Sequence, residues 1–499
     1  MICVTIGRGR HQHMIAEHKA LVEQGAKLVE LRLDYISRNV DLSRLLKDRP
    51  GPVVVTCRRR EDGGRWRGTE EARQMLLRVA IASGAEYVDL EEDIAEKLPR
   101  FGSTKRIVSY HNFQETPEDL DALHARLAMA NADIVKIATM ANSVDDNLRV
   151  LKLIKESTIP TIGLCMGEIG TPTRILNAKF GSPFTYAAFQ ADREFAPGQI
   201  SYAEMKKVYH YEKINAETEF YGVIADPVGH SLSPIVHNTA FQHDGLNKVY
   251  LPFRVVREDL ESFLESCPEF GVKGLSVTIP HKESVLPKID HQDPSVEEVQ
   301  SVNTILFTKS GLYGYNTDFQ AALVCLAKGV GAEEIEGAFE GKTALVLGAG
   351  GVSKTIANGL HHNGAKVVVT ARTDERAERL AGTLGCRVVK WEKRQEIIPD
   401  ILVNGTPVGM HPNLDETPFD IEHLPPTAVV FDTVYNPERT LLLKQAREAN
   451  LTAISGAEMF IRQAAMQYRL FTGKKAPKDI MYRVFKSSIS AAKYEESGT

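Results

Sequence analysis

The sequence predicts an α/β protein, with an N-terminal (β/α)8 TIM barrel followed by a two-lobe α/β region whose second lobe is Rossmann-like. Two observations carry this prediction. Short apolar runs rich in β-branched residues alternate with helix-patterned stretches along the chain, which is typical of parallel sheets. Farther along, a glycine-rich turn at residues 348–351 joins an apolar strand to a helix, as in dinucleotide-binding folds.

Length and composition narrow the class of protein. A chain of 499 residues is too long for one ordinary core, so two or three domains are expected. The net charge of −5 offers no basic surface for nucleic acid and no polybasic stretch for a membrane. Six scattered cysteines form no CxxC pair and no metal-ligand spacing, which indicates a reducing compartment and no metal. Without a long apolar run or a signal sequence, we expect a cytoplasmic protein.

Eight apolar runs within the first ~200 residues define the barrel. They are residues 2–6, 28–33, 53–57, 87–90, 107–110, 134–137, 162–166 and 184–189. Most intervals contain a helix-patterned stretch, such as Glu70–Ala82. An open, doubly wound sheet is the alternative arrangement of the same elements.

Several polar or functional side chains lie at or just past the ends of these strands, where barrel enzymes carry their active sites. They are Glu30, Arg32, Arg58, His111, Lys136 and Met166. Because side chains two apart on a strand point the same way, Glu30 and Arg32 are expected to face the barrel mouth together. A purely structural ion pair is the alternative for these two residues.

Lys136 and His111 suggest chemistry at that mouth. A lysine within a barrel strand is either a buried amine that needs a partner or a Schiff-base nucleophile, since desolvation favours the free amine. Schiff-base chemistry on a carbonyl compound also needs a proton shuttle, and histidine titrates near neutrality. His111 stands one strand before Lys136, at the same end.

The second half repeats the alternation of strands and helices, with predicted strands at 220–224, 248–252, 274–277, 343–347, 366–370, 401–403 and 429–432. The stretch 202–219 is predicted to be helical and charged. We therefore divide the chain into a barrel (1–206), a linker (207–219), a substrate lobe (220–335), a dinucleotide lobe (336–455) and C-terminal helices that return to the substrate lobe (456–499).

Two polar groups stand out in the predicted substrate lobe. Ser231 and Ser233 precede a helix, where their hydroxyls form either an anion or hydroxyl site or a simple N-cap. Lys282 and Asp318 follow separate strands, and such a pair suits proton transfer to or from an alcohol.

The glycine-rich turn predicts a pyrophosphate site. Its residues are Gly348, Ala349, Gly350, Gly351 and Val352, and Ser353 is small enough for close helix packing. The next strand ends at Arg372 and Thr373 rather than at an acidic residue, and Arg376 lies one turn on. These arginines favour NADP over NAD; solvent-exposed arginines at a helix start are the alternative.

The first ~200 residues resemble type I 3-dehydroquinate dehydratases. The resemblance rests on Glu30-Leu-Arg32, Thr56-Cys57-Arg58, Ser109-Tyr110-His111, Val135-Lys136, Arg174 and Ala196-Pro197-Gly198-Gln199. It implies a Schiff base between Lys136 and the substrate ketone, with His111 first removing a proton and then protonating the departing hydroxyl. It further implies that Arg174 binds the substrate carboxylate, that Glu30, Arg58 and Gln199 hold ring hydroxyls, and that Arg32 supports Glu30.

Two departures from the family pattern affect this carry-over. Asp62 stands where the family often has Glu, so its role in orienting His111 is open. Phe195 stands where a small hydroxylic residue is usual, so one polar contact to substrate is missing or supplied elsewhere.

From Phe220 onward the chain resembles shikimate dehydrogenases. The strings are Gly229-His230-Ser231-Leu-Ser233, Thr278-Ile-Pro-His-Lys282, Asn303-Thr304, Asn316-Thr317-Asp318, Gly348-Ala-Gly-Gly and Asp432-Thr-Val-Tyr435. The resemblance implies reduction of 3-dehydroshikimate by NADPH, with Lys282 and Asp318 handling the proton. It assigns the carboxylate to Ser231, Ser233 and Tyr435, the hydroxyls to Thr278, Asn303, Asp318 and Gln463, and the nicotinamide side to Thr406, Gly456 and Met459. Ala371 replaces a common Asn beside Arg372.

Together the two resemblances imply consecutive steps on small-molecule substrates: 3-dehydroquinate to 3-dehydroshikimate, then to shikimate. The oligomeric state is open. A class I aldolase, a quinate dehydrogenase and a regulatory protein built from inactive copies are the rival readings. The regulatory reading is disfavoured because Lys136, His111, Lys282 and Asp318 are all present.

Overall fold

The computed structural model describes residues 1–229 and 231–496, with the backbone alone for 490–496. The chain forms two compact units. The first combines Met1–Pro234 with Asp244–Val272, and the second combines Ile235–His243 with the chain from Lys273 onward. His230, part of the serine-containing string, lies outside the described residues.

The first unit contains the predicted barrel. Its eight strands are β1 Ile2–Ile6, β2 Leu28–Arg32, β3 Val53–Thr56, β4 Tyr87–Glu91, β5 Lys105–Asn112, β6 Ile134–Met140, β7 Thr161–Met166 and β8 Thr185–Ala188. All pair in parallel, in the order β7-β6-β5-β4-β3-β2-β1-β8. This order is that of a nearly closed barrel, so the predicted barrel is confirmed over the open sheet.

Helices connect the barrel strands. They are α1 His11–Glu23, α2 Leu42–Leu46, α3 Glu70–Ala82, α4 Glu92–Ala95, α5 Leu120–Met129, α6 Val144–Glu156, α7 Thr171–Leu176 and α8 Tyr202–Lys207. Side chains such as Cys3, Leu28, Val54 and Ile107 fill the barrel interior. The strand ends therefore rest on a packed core and project functional side chains toward the mouth.

The predicted helix over 202–219 is only partly correct. Helix α8 ends at Lys207, and a short 3-10 turn at Tyr211–Lys213 follows. Between them, His210 has a left-handed backbone (φ 48°), which a continuing right-handed helix excludes. After this turn the first unit continues with strands β9 Glu219–Ala225 and β10 Lys248–Arg254, which pair in parallel, and with α10 Leu260–Phe270.

The second unit begins with a mixed sheet. Its elements are α9 Ser233–His243, which the unit division cuts, β11 Val272–Val277, β12 His291–Gln292, α11 Pro294–Val299, β13 Thr304–Thr308, β14 Gly311–Tyr315 and α12 Thr317–Gly329. Strand β13 pairs antiparallel with both β11 and β14. Lys282 follows β11, and Asp318 lies in the first turn of α12.

A parallel Rossmann-like sheet follows. Its elements are β15 Thr343–Leu347, α13 Gly351–His362, β16 Lys366–Thr370, α14 Asp374–Leu384, β17 Arg387–Val388, β18 Ile401–Asn404, β19 Val429–Asp432, α15 Leu441–Glu448 and β20 Thr452–Ser455. The strand order is β17-β16-β15-β18-β19-β20. From β15 the chain first adds strands on one side of the sheet and then, from β18 onward, on the other side. The crevice between β15 and β18 is where such sheets bind dinucleotides.

Two helices close the chain, α16 Gly456–Thr472 and α17 Lys478–Glu496. Helix α16 reaches the mixed sheet through Gln467, whose amide donates to Thr304 Oγ1 at 2.9 Å and accepts from Ser276 Oγ at 2.8 Å. No helix among the described residues is both long and apolar enough to cross a membrane.

Candidate active sites

A single cavity at the barrel mouth collects every residue that the sequence assigned to the first site. Enclosing about 560 Å³ up to its opening, it is lined by Glu30, Arg32, Arg58, Asp62, His111, Lys136, Met166, Arg174 and Gln199. Thr5, Tyr186 and Phe195 complete much of the wall. These side chains come from different strands and from the loops that follow them, so the barrel closure brings them together.

Lys136 is the most constrained amine in this cavity. It lies in β6 and is 6% exposed, with Nζ 3.0 Å from Asp89 Oδ2 and 4.1 Å from the centre of the Tyr186 ring. Burial and the Asp89 carboxylate hold the amine in one place. An electrophilic carbon that enters the cavity can therefore meet a positioned nucleophile.

Asp89 organises the cations around Lys136, and sequence reasoning missed it. Its Oδ1 accepts hydrogen bonds from Arg58 Nη2 and from Ser109 Oγ, both at 2.6 Å. Burial by itself would raise the pKa of Asp89, but Arg58 and Lys136 outweigh it and lower the pKa well below its usual range. Asp89 is therefore ionised at neutral pH.

His111 is suited to accept a proton. Burial lowers the pKa of His111 well below its ordinary value, and the cations Arg58 and Lys136 lower it further. Its ring stacks beside Phe113, with centroids 6.5 Å apart. A neutral imidazole next to a positioned amine is a general base rather than a fixed cation.

Glu30 and Arg32 face the same cavity, and each is hydrogen-bonded to other partners, so the expected support of Glu30 by Arg32 stays a prediction. Glu30 accepts hydrogen bonds from Thr5 Oγ1 at 2.8 Å and Thr56 Oγ1 at 2.7 Å. Arg32 instead makes two hydrogen bonds to Asp34, at 3.0 and 2.9 Å. Asp34 follows β2 directly, so its carboxylate reaches the guanidinium within one turn of chain.

Arg58 and Asp62 are also held by partners that the sequence did not indicate. Besides Asp89, Arg58 Nη1 donates to Glu91 Oε1 at 2.7 Å and to Ser109 Oγ at 3.1 Å. Asp62 Oδ2 accepts from Arg59 Nε at 2.7 Å. Both side chains line the cavity while much of their bonding capacity is used within the protein.

Arg174 and Gln199 retain donors for a ligand. Arg174, 2% exposed, donates from Nη2 to the carbonyl of Pro197 at 3.1 Å, and its Nε has no hydrogen-bond partner among the described residues. Burial lowers the pKa of Arg174 to about 10. Gln199 Oε1 accepts from the Phe195 backbone N–H at 3.0 Å, which leaves its amide N–H groups as the available donors.

In the second unit, Lys282 and Asp318 form a close pair. Lys282 Nζ lies 2.5 Å from Asp318 Oδ2, with side-chain exposures of 26% and 18%. Asn303 is bonded to Thr317, the residue before Asp318. Its Oδ1 accepts from the Thr317 N–H at 2.8 Å, and its Nδ2 donates to Thr317 Oγ1 at 2.9 Å. One amide N–H of Asn303 is left by these bonds.

The other residues assigned to the second substrate are placed less tightly. Thr278 is half-buried after β11, Gln463 is buried on α16, and the Tyr435 ring packs on Phe460 with centroids 5.5 Å apart. Ser231 and Ser233 belong to the first unit, where the Ser233 N–H donates to Ser231 Oγ at 3.3 Å. Ser233 is the first residue of α9, so the N-cap position falls on the residue before it.

The glycine-rich turn has the geometry of a phosphate cradle. Gly348 follows β15 with φ 102°, a backbone conformation that favours glycine, and Gly350 caps α13. A Cβ on Gly350 or Gly351 would meet nothing within 4 Å, so there is open space beside the backbone of this turn. Ala349 and Val352 are half-buried against the core, and buried Ser353 donates to the Gly405 carbonyl at 3.2 Å.

Two exposed arginines stand at the next strand end. Arg372 follows β16, Thr373 caps α14, and Arg376 lies in the first turn of that helix. Neither arginine forms an ion pair among the described residues. Two unpaired guanidinium groups beside an open glycine turn fit the extra phosphate of NADP.

The expected nicotinamide side is built around Asn404, a residue that the sequence analysis missed. Thr406 donates from its N–H and its Oγ1 to Asn404 Oδ1, at 3.0 and 2.7 Å. A Cβ on Gly456 would lie 2.4 Å from the Thr433 carbonyl, so only glycine fits there, and Met459 is buried one turn along α16. Asn404 and Asp432 share a hydrogen bond of 3.0 Å at neighbouring strand ends.

Sequence models of known families match most of the chain. A model described as type I 3-dehydroquinase matches residues 2–216. Three further models match parts of the second half: the shikimate dehydrogenase substrate binding domain at 223–305, shikimate/quinate 5-dehydrogenase at 331–406, and the shikimate 5′-dehydrogenase C-terminal domain at 456–484.

Individual relatives agree with these matches. The chloroplastic bifunctional 3-dehydroquinate dehydratase/shikimate dehydrogenase of Arabidopsis thaliana is 39% identical, over 97% of this chain and 84% of that protein. The NADP⁺ shikimate dehydrogenase of Methanopyrus kandleri is 40% identical, over 54% of this chain and 95% of that protein. A crystal structure of a shikimate dehydrogenase in complex with NADP⁺ aligns with a TM-score of 0.50 and 34% identity, covering 55% of this chain and 97% of the other.

Proposed function

The chain belongs to the family of bifunctional 3-dehydroquinate dehydratase/shikimate dehydrogenases, and we propose that it converts 3-dehydroquinate to 3-dehydroshikimate in the barrel and reduces that product to shikimate in its second half. One observation supports this most strongly: Lys136, His111 and Arg174 line a single cavity at the barrel mouth. A nucleophilic amine, a neutral base and a buried guanidinium suit a substrate that carries both a ketone and a carboxylate.

In the first step, the Lys136 amine attacks the substrate ketone, and water leaves as the imine forms. His111 then takes the proton from the adjacent carbon, and the electrons of that bond pass into the imine as an enamine. The same imidazolium returns its proton to the departing hydroxyl, so that a second water leaves. Hydrolysis of the new imine consumes one water and frees Lys136, so the net change is loss of one water. The lowered pKa of His111 supports its role as the base.

Substrate orientation falls to the remaining barrel residues. Arg174 binds the carboxylate with the donors left free in its buried position. The Gln199 amide donates to a ring hydroxyl, and Glu30, oriented by its two threonine donors, accepts from another. Arg58, which also pairs with Asp89, holds a further ring hydroxyl, and the cavity wall is shaped by Arg32, Asp62 and Met166.

In the second reaction, Lys282 and Asp318 move the proton. Their 2.5 Å contact allows the pair to supply a proton to the ketone oxygen as the alcohol forms. NADPH, when bound, supplies the hydride. The substrate hydroxyls bind to Thr278, Asn303 and Gln463, and the substrate carboxylate binds to Ser231, Ser233 and Tyr435.

The cofactor residues follow the geometry of the Rossmann-like sheet. The backbone of Gly348, Ala349, Gly350, Gly351 and Val352 faces the pyrophosphate, at the N-terminus of α13. Arg372, Thr373 and Arg376 hold the 2′-phosphate, and Thr406, Gly456 and Met459 border the nicotinamide. The open space around Gly350 and Gly351 supports this assignment.

The division into domains at 1–206, 207–219, 220–335, 336–455 and 456–499 is part of the same proposal. It is supported by the barrel sheet ending at β8 and by the parallel sheet that begins with β15. We also propose a reducing compartment, the cytoplasm being the expected one, because all six cysteines are free thiols. Fractionation of cells that express the tagged chain tests the compartment.

The function is tested by giving the purified chain 3-dehydroquinate with and without NADPH and identifying the products by mass spectrometry. The proposal expects 3-dehydroshikimate without NADPH and shikimate with it. Borohydride added during turnover should trap substrate on Lys136. Absence of conversion in both tubes, or oxidation of quinate in strong preference to shikimate, would contradict the proposed reactions.

A further inference from the structure

Glu168 lies beside the dehydratase cavity without lining it. It follows β7 by two residues, after the cavity residue Met166. The Gly167 N–H donates to the Pro197 carbonyl at 3.0 Å, in the segment that carries Gln199. The backbone at Glu168 is therefore fixed against the barrel mouth, while its side chain points elsewhere.

The carboxylate of Glu168 binds a turn 60 residues farther along the chain. Its Oε1 accepts hydrogen bonds from the Gly229 N–H at 2.9 Å and, more weakly, from the Val228 N–H at 3.4 Å. Its Oε2 lies 3.1 Å from Arg254 Nη1, and Arg254 Nε in turn donates to Asp226 Oδ1 at 2.9 Å. All these residues belong to the first unit. Glu168 thus holds two backbone N–H groups of this turn and also the guanidinium of Arg254, the last residue of β10.

That turn leads directly into the two serines. The Ser231 N–H donates to the Val228 carbonyl at 3.0 Å, and the Ser233 N–H donates to Ser231 Oγ at 3.3 Å. The Val228 peptide is consequently tied to Glu168 on one side and to Ser231 on the other. A displacement of Val228 and Gly229 would be transmitted to the Ser231 hydroxyl through these bonds.

We propose that Glu168, although it belongs to the dehydratase barrel, is a positioning residue for the dehydrogenase: it holds the Val228–Gly229 turn so that Ser231 and Ser233 are set for the substrate carboxylate. This inference rests on the proposed role of the two serines. An ordinary exposed ion pair would contribute little, but a carboxylate that accepts from successive backbone N–H groups specifies the turn's conformation.

The test compares Glu168→Ala with Glu168→Gln in the full-length chain, using shikimate oxidation by NADP⁺. We expect Glu168→Ala to raise KM for shikimate about fivefold, the effect of losing one such hydrogen bond, with kcat and the KM for NADP⁺ within about twofold of the parent. Glu168→Gln keeps an oxygen acceptor for the two N–H groups and should restore most of the KM. Dehydratase kinetics of both variants should match the parent.

Glu86→Ala is the matched control. Glu86 also pairs with an arginine, Arg49 Nη2 at 2.6 Å, and accepts from a backbone N–H, that of Val53 at 2.8 Å, at comparable exposure. The inference is overturned if KM for shikimate is unchanged in Glu168→Ala, if Glu86→Ala raises it equally, or if dehydratase activity falls in parallel. Ser231→Ala separates the premise: an unchanged KM for shikimate in that variant refutes the serine role itself.

Discussion

Lys136 donates a hydrogen bond to Asp89 at 3.0 Å, and Asp89 in turn holds Arg58 at 2.6 Å, so one buried carboxylate sets two cations of the dehydratase cavity. Without Asp89, the Lys136 side chain could adopt other rotamers. Because Asp89 is ionised and fully buried, the amine is directed to one point of the cavity. Asp89 lies in β4 and Lys136 in β6, and these two strands flank β5 in the sheet. The strand order of the barrel therefore brings the carboxylate to the amine that takes part in the covalent step.

Replacing each catalytic lysine should separate the two activities. Lys136→Ala removes the amine that forms the Schiff base, so dehydration should fall by at least about 10³-fold while shikimate oxidation is unchanged. Lys282→Ala should do the reverse, because only the dehydrogenase uses the Lys282–Asp318 pair. Separate steady-state assays of both reactions on each purified variant check this, and a loss of both activities in either variant would refute two independent sites.

Asp89→Asn should damage both stability and dehydration. Removing a buried carboxylate leaves Arg58 and Lys136 with less compensation, which costs about 3 kcal/mol in comparable buried pairs. We expect a lower urea midpoint for the barrel transition and a reduced dehydratase kcat. Arg100 and Asp133 provide the control, since Asp133→Asn weakens an ion pair that is partly exposed rather than buried. Equal losses in the two variants would mean that burial of Asp89 is unimportant.

The sequence located the site well but not the bonds within it. Strand-end placement correctly predicted that Glu30, Arg58, His111, Lys136 and Met166 share one cavity. Asp89 was missed, although Asp89 and Glu91 stand two apart in an apolar strand, which is the same signal that marked Glu30 and Arg32.

Partner choice was beyond the sequence because it depends on how strand ends meet in space. The support of Glu30 by Arg32 stays a prediction, but the sequence did not indicate the hydrogen bonds that form: Arg32 donates to Asp34, and two threonines donate to Glu30. The pairing of Lys282 with Asp318, by contrast, was expected from the sequence, and the two residues are in contact although they come from separate elements. The helix expected over 202–219 ends early, at Lys207, and His210 beyond it has a left-handed backbone conformation. No local sequence pattern predicts that conformation.

Arg372 and Arg376 should decide between NADP and NAD. Both are exposed and free of ion pairs among the described residues, so their charge is available to a 2′-phosphate. Arg372→Ala should raise KM for NADP⁺ by about tenfold or more and leave the KM for NAD⁺ unchanged. Arg379→Ala is the control, because Arg379 is an exposed arginine on α14, the helix that carries Arg376. A similar effect from Arg379→Ala would point to general surface charge instead.

Asp432 makes the dehydrogenase half less stable as pH rises. Burial raises the pKa of Asp432 to about 6, although hydrogen bonds from Thr440, Val434 and Asn404 oppose the shift. The folded carboxyl thus keeps its proton to about pH 6, whereas the unfolded one loses it near pH 4. Between these values the folded state binds more protons, so stability falls as pH rises through the window. Above it the whole cost is present.

Asp432→Asn should therefore stabilise the protein at high pH. The amide keeps an oxygen for the Val434 and Asn404 donors and cannot ionise. We expect the urea midpoint at about pH 8 to correspond to a gain of roughly 1–3 kcal/mol, shrinking toward zero near pH 4. Asp415→Asn makes the same charge change at an exposed site and should show no such pH dependence. In the variant, the hydroxyl of Thr440 loses the carboxylate oxygen that accepts its hydrogen bond, and this loss is the same at every pH. A variant less stable than the parent at both pH values would therefore show that the hydrogen bonds to Asp432 outweigh the cost of its buried charge.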